Sequence, residues 1–299
     1  MESRSSSQVS LHQERLDPNE RNDHLAAQHW VRYEWACQFL PAKRVLDCAC
    51  GLGYGSALLR ERGAEQVVGV DNNSDALEYA NRVYSQPGVE YKMVDATSLS
   101  AEDMGTFNLI VSLETIEHTT TPPRVLDVFR ELLEPGGVLV LSCPNDKLLA
   151  VANPFHLSHP EFGDLQKWLT QRFCHVACYA EVHVVGSAVW PIEELPSRSS
   201  SSRLYMLKER LMDSLPITSA AGFLFACSDT EILPVAPVAA ELLDGIGYVR
   251  ELEKESQRLA SEWETVAARV RELEAAAEKL EQQPLFRLLK KLRLLRTDT

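Results

Sequence analysis

A doubly wound α/β fold with a mostly parallel sheet is what the sequence predicts, on three observations. An apolar strand turns through glycines into a helix at Val45 to Ser56, acids follow the next two strands, and strands alternate with helices up to about residue 175. Arg44 to Cys48 is the first strand, and Ser56-Ala57-Leu58-Leu59-Arg60 opens a helical pattern. Gly51, Gly53 and Gly55 lie between them, so the backbone is free to take positive φ and to approach a ligand at the helix N-terminus. Val67 to Val70 is the second strand and ends in Asp71, an acid placed where such folds bind ribose hydroxyls. Val89 to Val94 is the third, ending in Asp95-Ala96. Phe107 to Ser112 is the fourth, running into Glu114-Thr115-Ile116-Glu117-His118. A helix from Arg124 to Leu133 leads to a Glu134-Pro135-Gly136-Gly137 turn and a fifth strand, Val138 to Cys143. Glu161 to Phe173 then reads as a helix, His175 to Val184 as strand six and Gly222 to Cys227 as strand seven. The connection between the last two, 186–221, is far longer than a hairpin needs and carries a Ser-rich run at 197–203.

Composition bounds the class. The 299 residues include 45% hydrophobic side chains, enough for one substantial core with extra segments. No apolar run is long enough to span a bilayer, and the polar N-terminus lacks a signal-peptide core, so a cytoplasmic protein is expected. Seven cysteines without C-x-x-C pairing read as reduced thiols, those at Cys48, Cys143, Cys178 and Cys227 buried within strands. The net charge of −13 disfavours a nucleic-acid partner, because phosphates need basic surface.

With its G-x-G-x-G spacing, Asp71, Asp95 and the LEPGG turn, the chain resembles the class I methyltransferases that use S-adenosylmethionine, over roughly residues 12 to 230. The resemblance implies a Rossmann-like seven-stranded sheet in the order 3-2-1-4-5-7-6, over residues 41–235. It also implies cofactor binding by the backbone from Asp47 through Cys50, Gly51 and Gly53, by Asp71 and Asn72 at the ribose, and by Asp95 and Ala96 at the adenine. Gly55 and Glu114 complete that set. Asn108 stands where most relatives carry Asp, and is expected beside the site as tolerated variation.

If a helical turn begins at Glu114, then Glu114, Glu117 and His118 share one face, as metal ligands require. Resembling enzymes include small-RNA 2′-O-methyltransferases and ubiquinone-pathway O-methyltransferases, some with a magnesium site of this E-x-x-E-H form. His156 would then be the fourth ligand. The alternative is no metal, with Glu114 near the cofactor amine and His118 packed on the turn. His118 and His156 are also the candidate bases for deprotonating an acceptor, while His159 reads equally well as an ordinary loop residue.

Residues 1–40 are read as a polar segment and an amphipathic helix, with Leu25, Trp30, Tyr33 and Cys37 on its packing face. In similar methyltransferases this segment closes over the cofactor, which makes Glu14, Arg15 and Tyr33 lid candidates. From 236 to 283, Leu252, Leu259, Val266, Leu273 and Leu280 recur every seven residues, with Val249, Ser256, Trp263, Val270 and Ala277 three earlier. This is a coiled-coil seam and implies self-association. Pro284 is expected to stop that helix, and the tail 284–299 forms a basic amphipathic stripe suited to an anionic membrane surface or an acidic partner.

The combination of this domain type with a coiled coil and basic tail resembles bacterial methyltransferases of polysaccharide and lipopolysaccharide assembly, which implies O-methylation of a sugar. A small-molecule or quinone-type O-methyltransferase is the alternative enzyme, and a non-catalytic coiled-coil scaffold the alternative of another class.

Overall fold

The computed structural model describes residues 24–148, 153–182, 220–236 and 238, and in the C-terminal segment 258, 261–273, 275, 276, 279 and 284. The chain divides into two compact units, Met1–Leu243 and Asp244–Thr299.

In the first unit, helix α1 (His24–Ala36) precedes β1 (Ala42–Cys48), α2 (Tyr54–Glu61), β2 (Ala64–Asp71), α3 (Ser74–Val83) and β3 (Val89–Met93). There follow α4 (Ala101–Met104), β4 (Phe107–Ser112), α5 (Pro122–Leu132), β5 (Leu133–Pro144), α6 (Phe162–Thr170), β6 (His175–Glu181) and β7 (Gly222–Ser228). The strands form one seven-stranded sheet in the order β3-β2-β1-β4-β5-β7-β6, the expected Rossmann-like arrangement. Parallel register aligns Val45 with Val67 and Leu109, while β7 runs antiparallel to both neighbours, Phe225 pairing Leu141 and Cys178.

Alternation along the central strands sends successive side chains to opposite faces. Val45, Val67, Leu109 and Val111 pack with Trp35, Leu58 and Leu59 of α1 and α2. Leu46, Val68 and Ile110 pack with Leu126, Phe129 and Leu132 of α5 and Leu165 and Leu169 of α6. A strand buried on both sides is continuously apolar, which is why Val45-Leu46 and Leu109-Ile110-Val111 are so legible in the sequence.

Three details differ from expectation. The LEPGG turn is part of β5: pairing steps from Phe107–Leu133 directly to Leu109–Val138, with Gly136 at φ +77° absorbing the excess as a bulge. Asn108 lies at the amino end of β4, about 13 Å of strand short of the sheet's carboxyl edge. There it accepts from the Arg44 amide and donates to Glu134, so it ties strand ends together and does not flank the site. Cys178 is exposed because β6 is the sheet's edge strand; all seven cysteines are free thiols. The Ser-rich run, most of the 186–221 connection, Glu14, Arg15 and most of the basic tail lie outside the described residues.

In the second unit residues 261–273 are helical, and Trp263, Val266, Val270 and Leu273 form an exposed apolar stripe on it. Arg269 pairs with Glu272 beside that stripe. Pro284 is itself helical, so the helical stop expected there is not seen at that residue; proline's fixed φ is compatible with a helix. Among the described residues no helix is long and apolar enough to cross a membrane.

Candidate active site

Among the described residues, the candidate site groups gather at the carboxyl ends of β1, β2, β3, β4 and β5. The turn after β1 puts Ala49, Gly51 and Gly53 at φ +63°, +53° and +88°, a conformation that glycine adopts freely and other residues rarely. The three glycines do different jobs. A Cβ at Gly53 would meet Ala80 at 2.6 Å and Tyr91 at 2.8 Å, and one at Gly55 would lie 2.0 Å from the Tyr33 ring, so both are packing glycines. Gly51 alone has nothing within 4 Å of that position and faces open space.

Two buried carboxylates shape this turn. Asp71 accepts from the Gly51 amide (3.0 Å) on one oxygen and from the Asn73 amide (2.9 Å) on the other. Asp47 accepts from Ser56 (2.6 Å) and from the Tyr33 hydroxyl (3.0 Å). Burial pushes its carboxyl up to about 6, with Ser56 and Tyr33 pulling it back and Asp71 adding to the rise. The Cys50 side chain is buried, close against Gly69, so this residue borders the turn with its backbone. Asp95 is exposed and accepts from Thr97, whose hydroxyl and amide, helped by Asn72, hold its carboxyl below the usual carboxylate range. Asn72 and Ala96 flank it at the same sheet edge.

Helix α1 roofs the turn. Tyr33 packs edge-on against Tyr54, and His29 lies 2.6 Å from the Tyr54 hydroxyl. The buried Arg32 reaches across to Glu181 (2.7 Å) and Glu114 (3.2 Å).

The Glu114 to His118 run does not form the expected helical turn. Glu114 sits at φ +50° and only Ile116–His118 coil, as a single 3₁₀ turn. A positive-φ residue breaks the i, i+3, i+4 alignment. Glu114 instead receives one hydrogen bond from the Ser142 hydroxyl (2.8 Å) and faces Arg32, while its amide donates back to Ser142 (2.9 Å). Glu117 and His118 do come together with His156: one ligand atom of each lies within 4.8 Å of the others. Backbone bonds hold this arrangement, since the amides of Leu157 (2.8 Å) and Ser158 (3.0 Å) both donate to the Glu117 carbonyl.

Glu117 is the anomaly. Its side chain is 1% exposed and neither carboxylate oxygen has a hydrogen-bond partner among the described residues. Burial, with the charge of Glu114 next, raises its pKa well above the usual carboxylate range.

Sequence reasoning missed Asp146, which bonds His156 Nδ1 (2.8 Å) and His159 Nδ1 (2.5 Å). It follows strand five, and the logic that singled out Asp71 and Asp95 applies equally to it. Arg32 and Ser142 were also missed, because their partners are remote in sequence; Ser56 was missed because only the folded turn shows its hydroxyl reaching back to Asp47.

Residues 46–141 match the family model described as "Methyltransferase domain". Over that stretch the chain is similar to methyltransferase domains. Among curated proteins, it is 33% identical over 136 residues to a ubiquinone biosynthesis O-methyltransferase of Burkholderia pseudomallei, covering 44% of this chain and 58% of that protein. It is 31% identical over 134 residues to one from Psychrobacter arcticus, covering 44% of this chain and 51% of that protein. The chain therefore spans less than two thirds of these relatives' length. Among solved structures, the methyltransferase domain is similar to an N-methyltransferase NodS from Bradyrhizobium japonicum in complex with S-adenosyl-L-homocysteine. The identity is 15% and the TM-score 0.46, covering 73% of this chain and 93% of that one. An S-adenosylmethionine dependent methyltransferase from Mesorhizobium loti gives 20% and 0.41, covering 49% and 82%.

Magnesium does not fit the donors that this edge of the sheet presents. It prefers oxygen ligands in octahedral array, whereas the cluster brings one carboxylate and two imidazoles together and leaves Glu114 engaged by Arg32 and Ser142.

Proposed function

We propose that the protein is an S-adenosylmethionine-dependent methyltransferase acting on an oxygen of a small-molecule acceptor. The observation that carries the reading is the open face at Gly51 beside the Asp71 carboxylate, in a stretch that matches the methyltransferase domain model. The names of the relatives favour a quinone-type acceptor over the glycan suggested by the chain's organisation.

When bound, S-adenosylmethionine supplies an electrophilic methyl group on a sulfonium. The chain's residues do the rest by positioning, which is where most of the rate gain of such a reaction lies. The Asp71 carboxylate at the end of β2 stands where such folds bind a ribose diol, and the Gly51 backbone allows close approach. Asp47 places negative charge near the cofactor's amino group. Tyr33, Trp30 and Tyr54 shield that side from water. His118 and His156 contribute electron-pair donors at the sheet edge, where the acceptor hydroxyl must lose its proton.

Methyl transfer from labelled S-adenosylmethionine to a dihydroxyphenol, with nucleotide-sugars and lipid-linked saccharides in parallel, tests this. Label in the phenol is expected; label in saccharides alone would reverse the acceptor assignment, and label in neither would remove the enzymatic reading.

The raised Asp47 carboxyl gives a pH signature. Above about 6 it is charged and attracts the cationic cofactor; as pH falls through that value it is neutralised. Cofactor affinity is expected to weaken about tenfold per pH unit below 6, in calorimetric titrations between pH 4.5 and 8. Asp47→Asn should bind weakly throughout with no such slope, and an unaltered slope in that variant would exclude Asp47 as its source.

We propose self-association through the C-terminal helix, supported by the exposed stripe of Trp263, Val266, Val270 and Leu273. A parallel pairing sets Arg269 against Glu274 of the second copy and opposes no like charges at the flanking positions of the five repeats. Light scattering should give a multimer for the natural chain and a monomer for Val270→Asp/Leu273→Asp; equal masses would overturn it.

A further inference from the structure

We infer that Gln38 is a positioning residue for the cofactor turn: it latches the segment after β7 to the foot of α1 and so holds Tyr33 of that helix against Asp47. The inference goes beyond the methyl-transfer reading, on which only its affinity readout rests.

The first ground is the segment itself. Residues 229–236 leave β7 at the edge of the sheet opposite the site, because β7 runs antiparallel to β5. Asp229 pairs with Arg130 of α5, and Ala236 ends up beside the turn that follows α1, with β5 and β4 lying between β7 and β1 in the strand order. The run Leu233-Pro234-Val235-Ala236-Pro237 favours an extended chain. A residue before proline is kept out of the helical region, and proline offers no amide of its own. Ile232, Val235 and Val238 pack on the core cluster that Trp35 and Ala36 of α1 build with Val45, Val140 and Ala226.

The second ground is the latch. Gln38 lies in the 3₁₀ turn Cys37–Phe39 that continues α1. Its side-chain NH₂ donates to the Ala236 carbonyl (2.9 Å), and its side-chain oxygen accepts from the Ala236 amide (2.9 Å). Only this orientation of the amide satisfies both bonds. One side chain thus bonds both polar groups of one extended residue, as a neighbouring antiparallel strand would. Both bonds are exposed to solvent. Water competes for such bonds, so the latch is releasable where the core packing is not.

The third ground is that α1 transmits position without slack. Tyr33, in the helix just ahead of Gln38, donates to one oxygen of Asp47 (3.0 Å), while Ser56 holds the other (2.6 Å). Its ring fills the space over Gly55, where a Cβ would lie 2.0 Å away, and meets Tyr54 edge-on at 5.2 Å between centroids. A close-packed contact of this kind cannot absorb a shift of the helix without moving the ring off the turn. Arg32 remains held by Glu181 and Glu114, so releasing Gln38 loosens the ring without detaching α1.

Calorimetric titration of the full chain with S-adenosylmethionine, beside deuterium exchange of the α1 amides in the cofactor-free protein, tests the latch. Gln38→Ala is expected to weaken cofactor binding about 3-fold to 10-fold, the range that one or two exposed hydrogen bonds command. It should speed exchange in α1 by a similar factor and leave β1, β4 and β5 unchanged. In a Tyr33→Phe background, Gln38→Ala should cost no further affinity, because the ring no longer holds Asp47. Unaltered α1 exchange in Gln38→Ala overturns the latch. Unaltered affinity with faster exchange overturns the positioning role, and an equal further loss in Tyr33→Phe overturns the route through Tyr33. If the natural chain takes up no S-adenosylmethionine, the methyl-transfer reading fails; faster α1 exchange in Gln38→Ala then still supports the latch, and unaltered exchange still overturns it.

Discussion

Asp71→Ala is expected to raise the dissociation constant for S-adenosylmethionine at least 100-fold. The carboxylate accepts from the amides of Gly51 and Asn73, fixing the turn after β1 against the end of β2, and stands where such folds bind a ribose diol. Hydrogen bonds to a charged group contribute about 1.5 to 3 kcal/mol each, and losing two on the ligand alone amounts to about two decades in affinity or more. Asp71→Asn retains the shape and a single acceptor oxygen, so it should fall between the two. Calorimetry on the three proteins measures this directly. Unchanged affinity in Asp71→Ala would remove Asp71 from the site, and because Asp71 also holds Gly51, thermal unfolding must accompany the titration to separate lost contacts from a loosened turn.

The second large effect is on stability. Arg32→Ala should lower the unfolding free energy by about 3 to 5 kcal/mol, the usual cost of removing one partner from a buried ion pair. Arg32 is 8% exposed and Glu181 6%, and the guanidinium bridges Glu181 on β6 to Glu114 after β4. For a folded unit of about 200 residues this corresponds to roughly 10 °C in the unfolding midpoint. Replacing Glu181 by Gln in the same chain should recover part of the loss by removing the stranded charge. A midpoint shift below about 2 °C in Arg32→Ala would show that the network carries little of the stability. Cofactor affinity should fall as well, since α1 carries both Arg32 and the Tyr33 that donates to Asp47.

The two effects mark how far the chain could be read without its structure. Asp71, Asp95 and the glycine turn were legible because they depend on short-range pattern. A strand buried on both faces must be apolar, the turn after it needs residues tolerant of positive φ, and a ligand at the strand ends needs an acid there. Gly53 and Gly55 were read as cofactor positions, and their packing against Tyr91 and Tyr33 shows a further constraint on the same spacing. The reading of 114–118 as a helical turn was less secure, because helical spacing implies a shared face only if the residues are in fact helical. One residue at positive φ, Glu114, was enough to separate it from Glu117 and His118.

By itself, then, the sequence determined the alternation of strands and helices, the sheet order through its family resemblance, the glycine turn from Asp47 to Ser56 and the acid that ends β2 at Asp71. These follow from local geometry and from the solvent exclusion of a central parallel strand. Only the tertiary structure decided which groups meet at the carboxyl edge. Arg32 finds Glu181 across 149 residues, Ser142 takes Glu114, and Asp146 bonds His156, which meets Glu117 and His118. Those pairings are set by where strands lie in the sheet and by the direction in which each loop leaves its strand. No periodicity along the chain encodes either.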